Sequence, residues 1–387
     1  PDEVVVVDCE TTGLDVAKDD IITIAAVKVR GNRILTSEKF VAIARPEAKM
    51  KAESIKVHRV FESETEKGER IRQIMRDFLR FVGGRPLVGY YLEFDVAMID
   101  KNVLPLIQIE KIGEAAPRPW PKGNRPLAGL RVLDLSRVIA GPVAGRTWAA
   151  HGADVMLISS PHLPSIPWLV IDTGRGKLSA SADLKTEQGR DTLRGLLASA
   201  DIFSQGYRPQ SIAALGFSPE DAAQISPGIV YVSLSAYGQA GPWAGRRGFD
   251  SLVQTSTGFN AAEGRAAGGD GPKELPLQIL DHATGYLMAF GAMMARLRQA
   301  REGGSWHVRV SLVQTGRWLW NLGRLEGGLA AADLTRDQVL PFTEQNPSGF
   351  GALQSVRHAA VMSATPALWE RPAIPLGASA PLWPLRS

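Results

Sequence analysis

The sequence predicts an α/β protein built from two unlike α/β parts, and three observations carry that expectation. Apolar, β-branched runs alternate with stretches of helical periodicity along most of the chain. Residues 113–126, GEAAPRPWPKGNRP, break the alternation with four prolines and two glycines, which disfavour helix and strand alike. The 387 residues are also more than one core usually holds. The expected boundaries are 1–112 for the first part, 113–125 for a linker and 126–387 for the second part with a loosely packed, Pro-rich tail.

In the first part, VVVVD (Val4 to Asp8) is a continuous apolar run, as in a strand covered on both faces. IITIAAVKVRGNRIL holds two strands that turn at Gly31-Asn32. Ile71, Ile74, Met75, Phe78, Leu79 and Val82 share one face of a helix over 68–82. PLVGYY reads as a short strand, and Phe94 to Leu104 as a helix that stops at Pro105. In the second part LRVLDL, ADVMLIS, ADIFSQ, GIVYVSL and WHVRVSL read as strands. Helices are expected over 142–151, 187–198 and 283–301. Alternation of this kind predicts a parallel sheet with right-handed crossovers.

A single cysteine, Cys9, excludes an intramolecular disulfide and suits a cytoplasmic setting. No apolar stretch is long enough to span a bilayer, so no membrane partner is expected. PDEVVVVDCE lacks the basic start of a signal peptide and runs directly into a strand. The net charge of +4 is unevenly spread. Residues 1–116 carry 18 basic and 20 acidic side chains, and the remainder 26 and 20. A nucleic-acid binder would prefer the basic excess in the first part.

Four segments carry a resemblance when taken in order: PLAGLRVLDLSRVIAGPVAGRTWAAHGADVMLI, TGRGKLSASADLKTEQGRDTLRGLLASADIFSQGYRP, IVYVSLSAYGQAGPWAGRRGFDSLVQTSTG and LDHATGYLMAFGAMMARLRQAREGGSWHVRVSLVQ. Together they resemble a family III CoA-transferase of the CaiB/BaiF type. The resemblance implies a Rossmann-like parallel α/β domain, acyl-CoA and a carboxylic acid as substrates, and a homodimer of interlaced rings. Coenzyme A carries several phosphate charges, which suits the basic excess of this part.

The resemblance also places the catalytic nucleophile at Asp281, in an Asp-x-x-Thr-Gly context. By itself the residue reads equally well as a helix N-cap. A carboxylate there would attack the thioester and form an aspartyl-CoA intermediate. Backbone N–H groups near Gly285 are candidate oxyanion donors. Val138 and Ala140, in VIAGP, are CoA-contact candidates. Gly141 would let backbone approach a ligand and Pro142 suits a first helical turn, although a tight strand–helix turn accounts for the same residues. Arg175 and Lys177, in GRGKLS, are phosphate partners or a solvated turn. Tyr207 and Arg208, in GYRP, are stacking and phosphate candidates or an ordinary strand end. Arg247, Phe249 and Asp250 fall where similar enzymes line the CoA channel. His282 reads as structural. His151 is the candidate partner for an alternative racemase chemistry, which needs an acid–base pair. Ile139 is apolar where a polar CoA contact is common. SSPHLPSIPWLV replaces the usual charged residues after the second strand.

VVVVDCETTGLD and RPLVGYYLEFDVAMI resemble the first two motifs of the DEDD 3′–5′ exonucleases, which implies a ribonuclease H-like fold for residues 1 to about 109. Asp8 and Glu10 alternate on a strand and so point to one face. Asp95 is the third carboxylate. The resemblance implies Mg²⁺ held by Asp8, Glu10 and Asp95, and nucleic acid as partner. The third motif, with its general base and fourth carboxylate, has no counterpart, and the fold would lose a helix that covers the sheet. His58 precedes the second motif and does not substitute. The expected function is therefore CoA transfer through Asp281, with an appended and inactive exonuclease-like segment. Three alternatives stay open: a metal-dependent exonuclease with an inert second part, an acyl-CoA racemase, and a fusion of two gene fragments with no integrated function.

Overall fold

The computed structural model describes residues 2–15, 18–51, 54–55, 60–89, 95, 105–208, 210–239, 243–325 and 327–385. The chain divides into two units: Pro1–Pro105 with Gln239–Ala244, and Leu106–Gly238 with Gly245–Ser387.

In the first unit the sheet order is β3-β2-β1-β4, with β1 Glu3–Thr11, β2 Ile21–Arg30, β3 Arg33–Ile43 and β4 Leu87–Val88. β1 pairs antiparallel with β2 and parallel with β4. The turn between β2 and β3 falls at Gly31, which takes φ +55°, a region glycine enters without steric cost. After the short α1 (Glu62–Thr65), α2 (Ile71–Val82) buries Ile74, Met75, Phe78 and Val82 against Val5, Val7, Cys9, Ile21 and Ile24. That is the expected helical stripe meeting one face of a sheet. The strand expectation needs a correction. Val5 and Val7 are buried, while Val4 and Val6 are half-buried, so β1 is fully covered on one face only. On β3, Ile34 and Val41 are exposed. Apart from Asp95, the expected helix from Phe94 to Leu104 lies outside the described residues, as does His58.

In the second unit seven strands are ordered β5-β11-β10-β9-β6-β7-β8. They are β5 Gln108–Gly113, β6 Arg131–Asp134, β7 Asp154–Ser159, β8 Lys177–Ser181, β9 Ile202–Gln205, β10 Val230–Ser235 and β11 Ser305–Ser311. β6 to β11 run parallel, as the alternation predicts, and β5 is an antiparallel edge strand on β11. Among the described residues the α-helices are α3 Ala140–Ala150, α4 Pro167–Thr173, α5 Glu187–Leu197, α6 Pro219–Ile225, α7 Asp250–Ser256, α8 Phe259–Ala266, α9 Ile279–Glu302, α10 Leu312–Asn321 and α11 Arg336–Val339, and a separate antiparallel pair, β12 Thr343–Ser348 and β13 Gly351–Val356, follows. One apolar cluster joins α3 and α9 to Val132, Val155, Val232 and Val308. A second joins α5 and α6 to Leu133, Met156, Phe203 and Tyr231. The alternating strand residues thus feed two cores, one on each face of the sheet. Among the described residues no helix is long and apolar enough to cross a membrane.

Two expectations about chain organisation change. The segment expected to be a linker is packed onto the second unit. β5 pairs with β11, and Arg296 donates to Arg118 O and Pro119 O at 3.0 Å while its guanidinium lies over Trp120. By packing, the second unit begins at Leu106. The tail is extended, but it is tied down. Gly176 N–H donates to Arg371 O, Leu368 N–H to Ala150 O, and the Trp383 indole to Leu196 O. A Pro-rich strip satisfies backbone groups along the sheet margin without a ladder of its own.

Candidate active site

The parallel strands place a cavity of about 510 Å³ at their C-terminal ends. From β6 the chain winds one way to β7 and β8, and from β9 the other way to β10 and β11. The strand order reverses between β6 and β9, which is where an open α/β sheet leaves a crevice. Residues that directly follow four strands line it: Leu135 and Val138 after β6, Gly206 and Tyr207 after β9, Ala236 after β10 and Leu312 after β11.

The cavity collects most of the residues expected to contact CoA. Val138, Ala140, Tyr207, Arg208, Arg247 and Asp281 all line it. Arg137 and Arg246 join them, although the sequence reading did not single them out. The four arginines are exposed. A phosphate-bearing ligand would meet bidentate donors there. An apolar cleft of about 340 Å³ adjoins this cavity and shares Arg137, Val138, Leu163 and Phe249 with it. The helix α4 supplies part of its wall through Leu169, Val170 and Thr173. Its lining takes in Val138 and Pro142 of VIAGP and much of the SSPHLPSIPWLV segment.

Local geometry explains the turn after β6. Val138 takes φ +71°, a region that a β-branched residue enters at a cost of about 1–3 kcal/mol. The turn is held by Asp134, whose Oδ1 accepts the Ser136 N–H at 2.9 Å and also the Ser136 hydroxyl. Gly141 serves this turn rather than a ligand. A Cβ there would lie 2.1 Å from Ser136 Cβ.

Asp281 is the third residue of α9, not its N-cap. It is 6% exposed, and burial first, then the nearby Asp250 charge, pushes its pKa up to about 7. The helix that carries it packs tightly on α3. A Cβ on Gly285 would lie 2.5 Å from Ala140 O and 2.8 Å from Val143. Gly285 therefore allows close helix crossing, and it does not line the cavity as an oxyanion donor would. Asp250 does not line it either, while its neighbour Phe249 does.

Arg175 and Lys177 are the clear departures. Both are buried, and neither lines the cavity. Arg175 donates to Asp172 at 2.8 Å, Ser355 Oγ at 3.0 Å and Val356 O at 2.9 Å, and stacks on Trp369 with its Cζ 4.1 Å from the ring centroid. Lys177 is the first residue of β8, and its Nζ lies 2.9 Å from both Asp134 Oδ2 and Pro142 O. Burial lowers the pKa of both cations, and their paired carboxylates oppose that shift. Arg175→Ala is expected to destabilise the protein by about 2–3 kcal/mol through lost charged hydrogen bonds. It should leave CoA affinity unchanged, which parallel thermal melts and CoA titrations would check.

The racemase pairing is not assembled. Ala140 begins α3 at the cavity, and His151 caps its far end, roughly 16 Å along the axis for 11 residues. The His151 ring packs on His358 instead, with centroids 5.2 Å apart.

In the first unit Asp8 is exposed and Glu10 half-buried, between the buried Val7, Cys9 and Thr11, as strand alternation requires. Asp95 is buried, and its Oδ1 accepts the Cys9 N–H at 2.8 Å. Burial, and then the Asp8 charge, raises the pKa of Asp95. Among the described residues no group of three or more His, Cys, Asp or Glu could hold a metal ion. The described residues thus show no site for the expected Mg²⁺.

Comparison with known proteins agrees with the two-part reading. The family model described as Exonuclease matches residues 5–115, and that of CoA-transferase family III matches residues 127–371. The acetyl-coenzyme A transferase nodX of Hypoxylon pulicicidum is 35% identical over 200 residues, covering 51% of this chain and 34% of that protein. The succinate–glutarate CoA-transferase of Agrobacterium fabrum is 30% identical over 213 residues, covering 50% of this chain and 52% of that protein. The chain thus spans between about a third and a half of the length of these two relatives. The crystal structure of Rv3272 from Mycobacterium tuberculosis superimposes with a TM-score of 0.56 at 22% identity, covering 65% of this chain and 97% of that one, which is a likeness of fold. With the match across 127–371, the chain belongs to CoA-transferase family III, preceded by an exonuclease-type segment.

Proposed function

We propose that the second unit is an acyl-CoA:carboxylate CoA-transferase that works through Asp281. The observation that carries this reading is a buried carboxyl, pushed up to about 7, on a cavity that four arginines also line. The Asp281 carboxylate attacks the thioester carbonyl, the C–S bond breaks, and a mixed anhydride and CoA thiolate result. The thiolate then attacks Cγ of Asp281, which gives the aspartyl-CoA thioester and releases the first acid as its carboxylate. The acceptor carboxylate reverses the sequence, and the thioester energy is kept. Burial serves this chemistry because a desolvated carboxylate is a stronger base and nucleophile. The exposed arginines would draw in the CoA phosphates, so affinity should fall with salt.

The test is intact mass after incubation with a panel of acyl-CoAs, followed by hydroxylamine, beside Asp281→Asn. An adduct mapped to Asp281 and absent from the variant is expected. Because the ionised form attacks, its rate of formation should fall about tenfold per pH unit below the pKa of about 7. A folded wild type that forms no adduct with any acyl-CoA would sink the proposal.

A further inference from the structure

We infer that Asp250 is the positioning residue for Asp281: from the first turn of α7 it holds the start of α9 and sets a second carboxylate against the nucleophile. This rests on the reading of Asp281 given above. The first N–H groups of any helix lack intrahelical partners. At α9 the N-cap is Gln278, whose side chain makes no capping bond. Asp250 takes that role from a different helix. Its Oδ2 accepts the Asp281 N–H at 2.8 Å, and the Leu280 N–H also bonds to the carboxylate. Its Oδ1 accepts from Gln254, one turn further along α7. Gln254 holds the incoming chain. It accepts the Leu275 N–H at 3.2 Å and donates to Leu277 O at 3.3 Å. Both residues are buried. Together they lace residues 275–281 onto α7, so the position of Asp281 is set from outside its own helix.

The charge matters as well as the bonds. The elements packed against α9 carry Arg146 on α3, Arg317 on α10, His307 and Arg309 on β11, Tyr231 on β10, Glu110 and Lys111 on β5 and Asp250 on α7, and His282 follows Asp281 on α9 itself. The charge that adds to burial in raising Asp281 is that of Asp250. Like-charge repulsion makes the free Asp281 carboxylate more basic. It vanishes once Asp281 is a neutral thioester, so Asp250 favours the covalent state. Asp250 does not line the cavity and touches no substrate position, so it acts through Asp281.

The experiment is ¹³C NMR of the full chain labelled at the aspartate carboxyl carbon, with the Asp281 signal assigned by its loss in Asp281→Asn. Asp250→Asn keeps an acceptor oxygen for the Asp281 N–H but removes the charge. We expect the Asp281 midpoint to fall, and the acid limb of acylation to move down in pH with it. An unmoved midpoint in the folded variant overturns the proposal. The wild type supplies a second reading that needs no folded variant. The Asp281 midpoint should lie near 7, above the ordinary carboxylate range, and an ordinary midpoint would refute the coupling. Both readings are independent of turnover. A wild type that forms no adduct removes the transferase reading, while a shifted midpoint still establishes Asp250 as the residue that sets Asp281.

Discussion

Replacing Lys177 by methionine is expected to destabilise the protein by about 3–5 kcal/mol and to disorder the turn that lines the cavity. Lys177 and Asp134 are 2% and 0% exposed at their side chains, and their separation of 2.9 Å makes them a fully buried ion pair. Among the described residues, removing the cation leaves the carboxylate the Ser136 donors alone. The pair also packs over α3. A Cβ on Gly145 would lie 2.4 Å from Asp134 Oδ2 and 2.5 Å from Lys177 Nζ, so that glycine is what lets the helix approach the pair. Because Asp134 holds Ser136, and Ser136 opens the strained turn at Val138, the loss should spread to the ligand side. Urea melts should show the lower midpoint, and CoA should stabilise the variant less than the wild type. Asp134→Asn added to Lys177→Met should recover part of the loss, since the unpaired charge is then gone. A Lys177→Met protein with unchanged stability would contradict the buried pair.

Gly285→Ala should be as damaging to chemistry as Lys177→Met is to stability. The added carbon meets Ala140 O at 2.5 Å, and backbone has little freedom to give way. The two helices must separate, at about 1–3 kcal/mol for an overpacked contact. Ala140 lines the cavity from α3, and Asp281 lines it from α9, one turn before Gly285. A shift between these helices therefore moves the proposed nucleophile relative to the opposite wall. A displacement near 1 Å costs about a hundredfold in rate when reacting groups are pre-positioned. Single-turnover acylation of Asp281 would measure it, and a variant that melts normally and reacts normally would show that the helix crossing is not what places Asp281.

The central strands and the long helices were legible because helix and strand leave local periodicities, whereas the short β5, β8, α4, α6, α7, α8 and α10 were not expected. Val132, Val155, Val230 and Val232 sit in short apolar runs bounded by turn residues, and the α9 stripe repeats at helical spacing. The place of Asp281 on the cavity was legible for another reason, since a motif fixes residue type and spacing together. The fate of Arg175 and Lys177 was not legible. A basic loop looks the same whether its charges face water, phosphate or a buried carboxylate. The deciding partner of Lys177, Asp134, lies 43 residues earlier in the chain. The domain boundary was hidden for a related reason. Residues 108–113 read as the end of the first part until β5 pairs with β11, some two hundred residues later.

The sequence by itself determined the long helices and the central strands, that two α/β parts follow one another, and the carboxylate proposed for the transferase chemistry. Those properties depend on neighbours within a few residues and on motif spacing. The tertiary structure alone decided that the strand order reverses beside Asp281, that Asp250 caps the helix that bears it, and that two expected phosphate ligands are structural ion-pair partners. Each of these is a pairing between residues far apart in the chain, and local patterning does not encode which distant group satisfies a buried charge or an unpaired N–H.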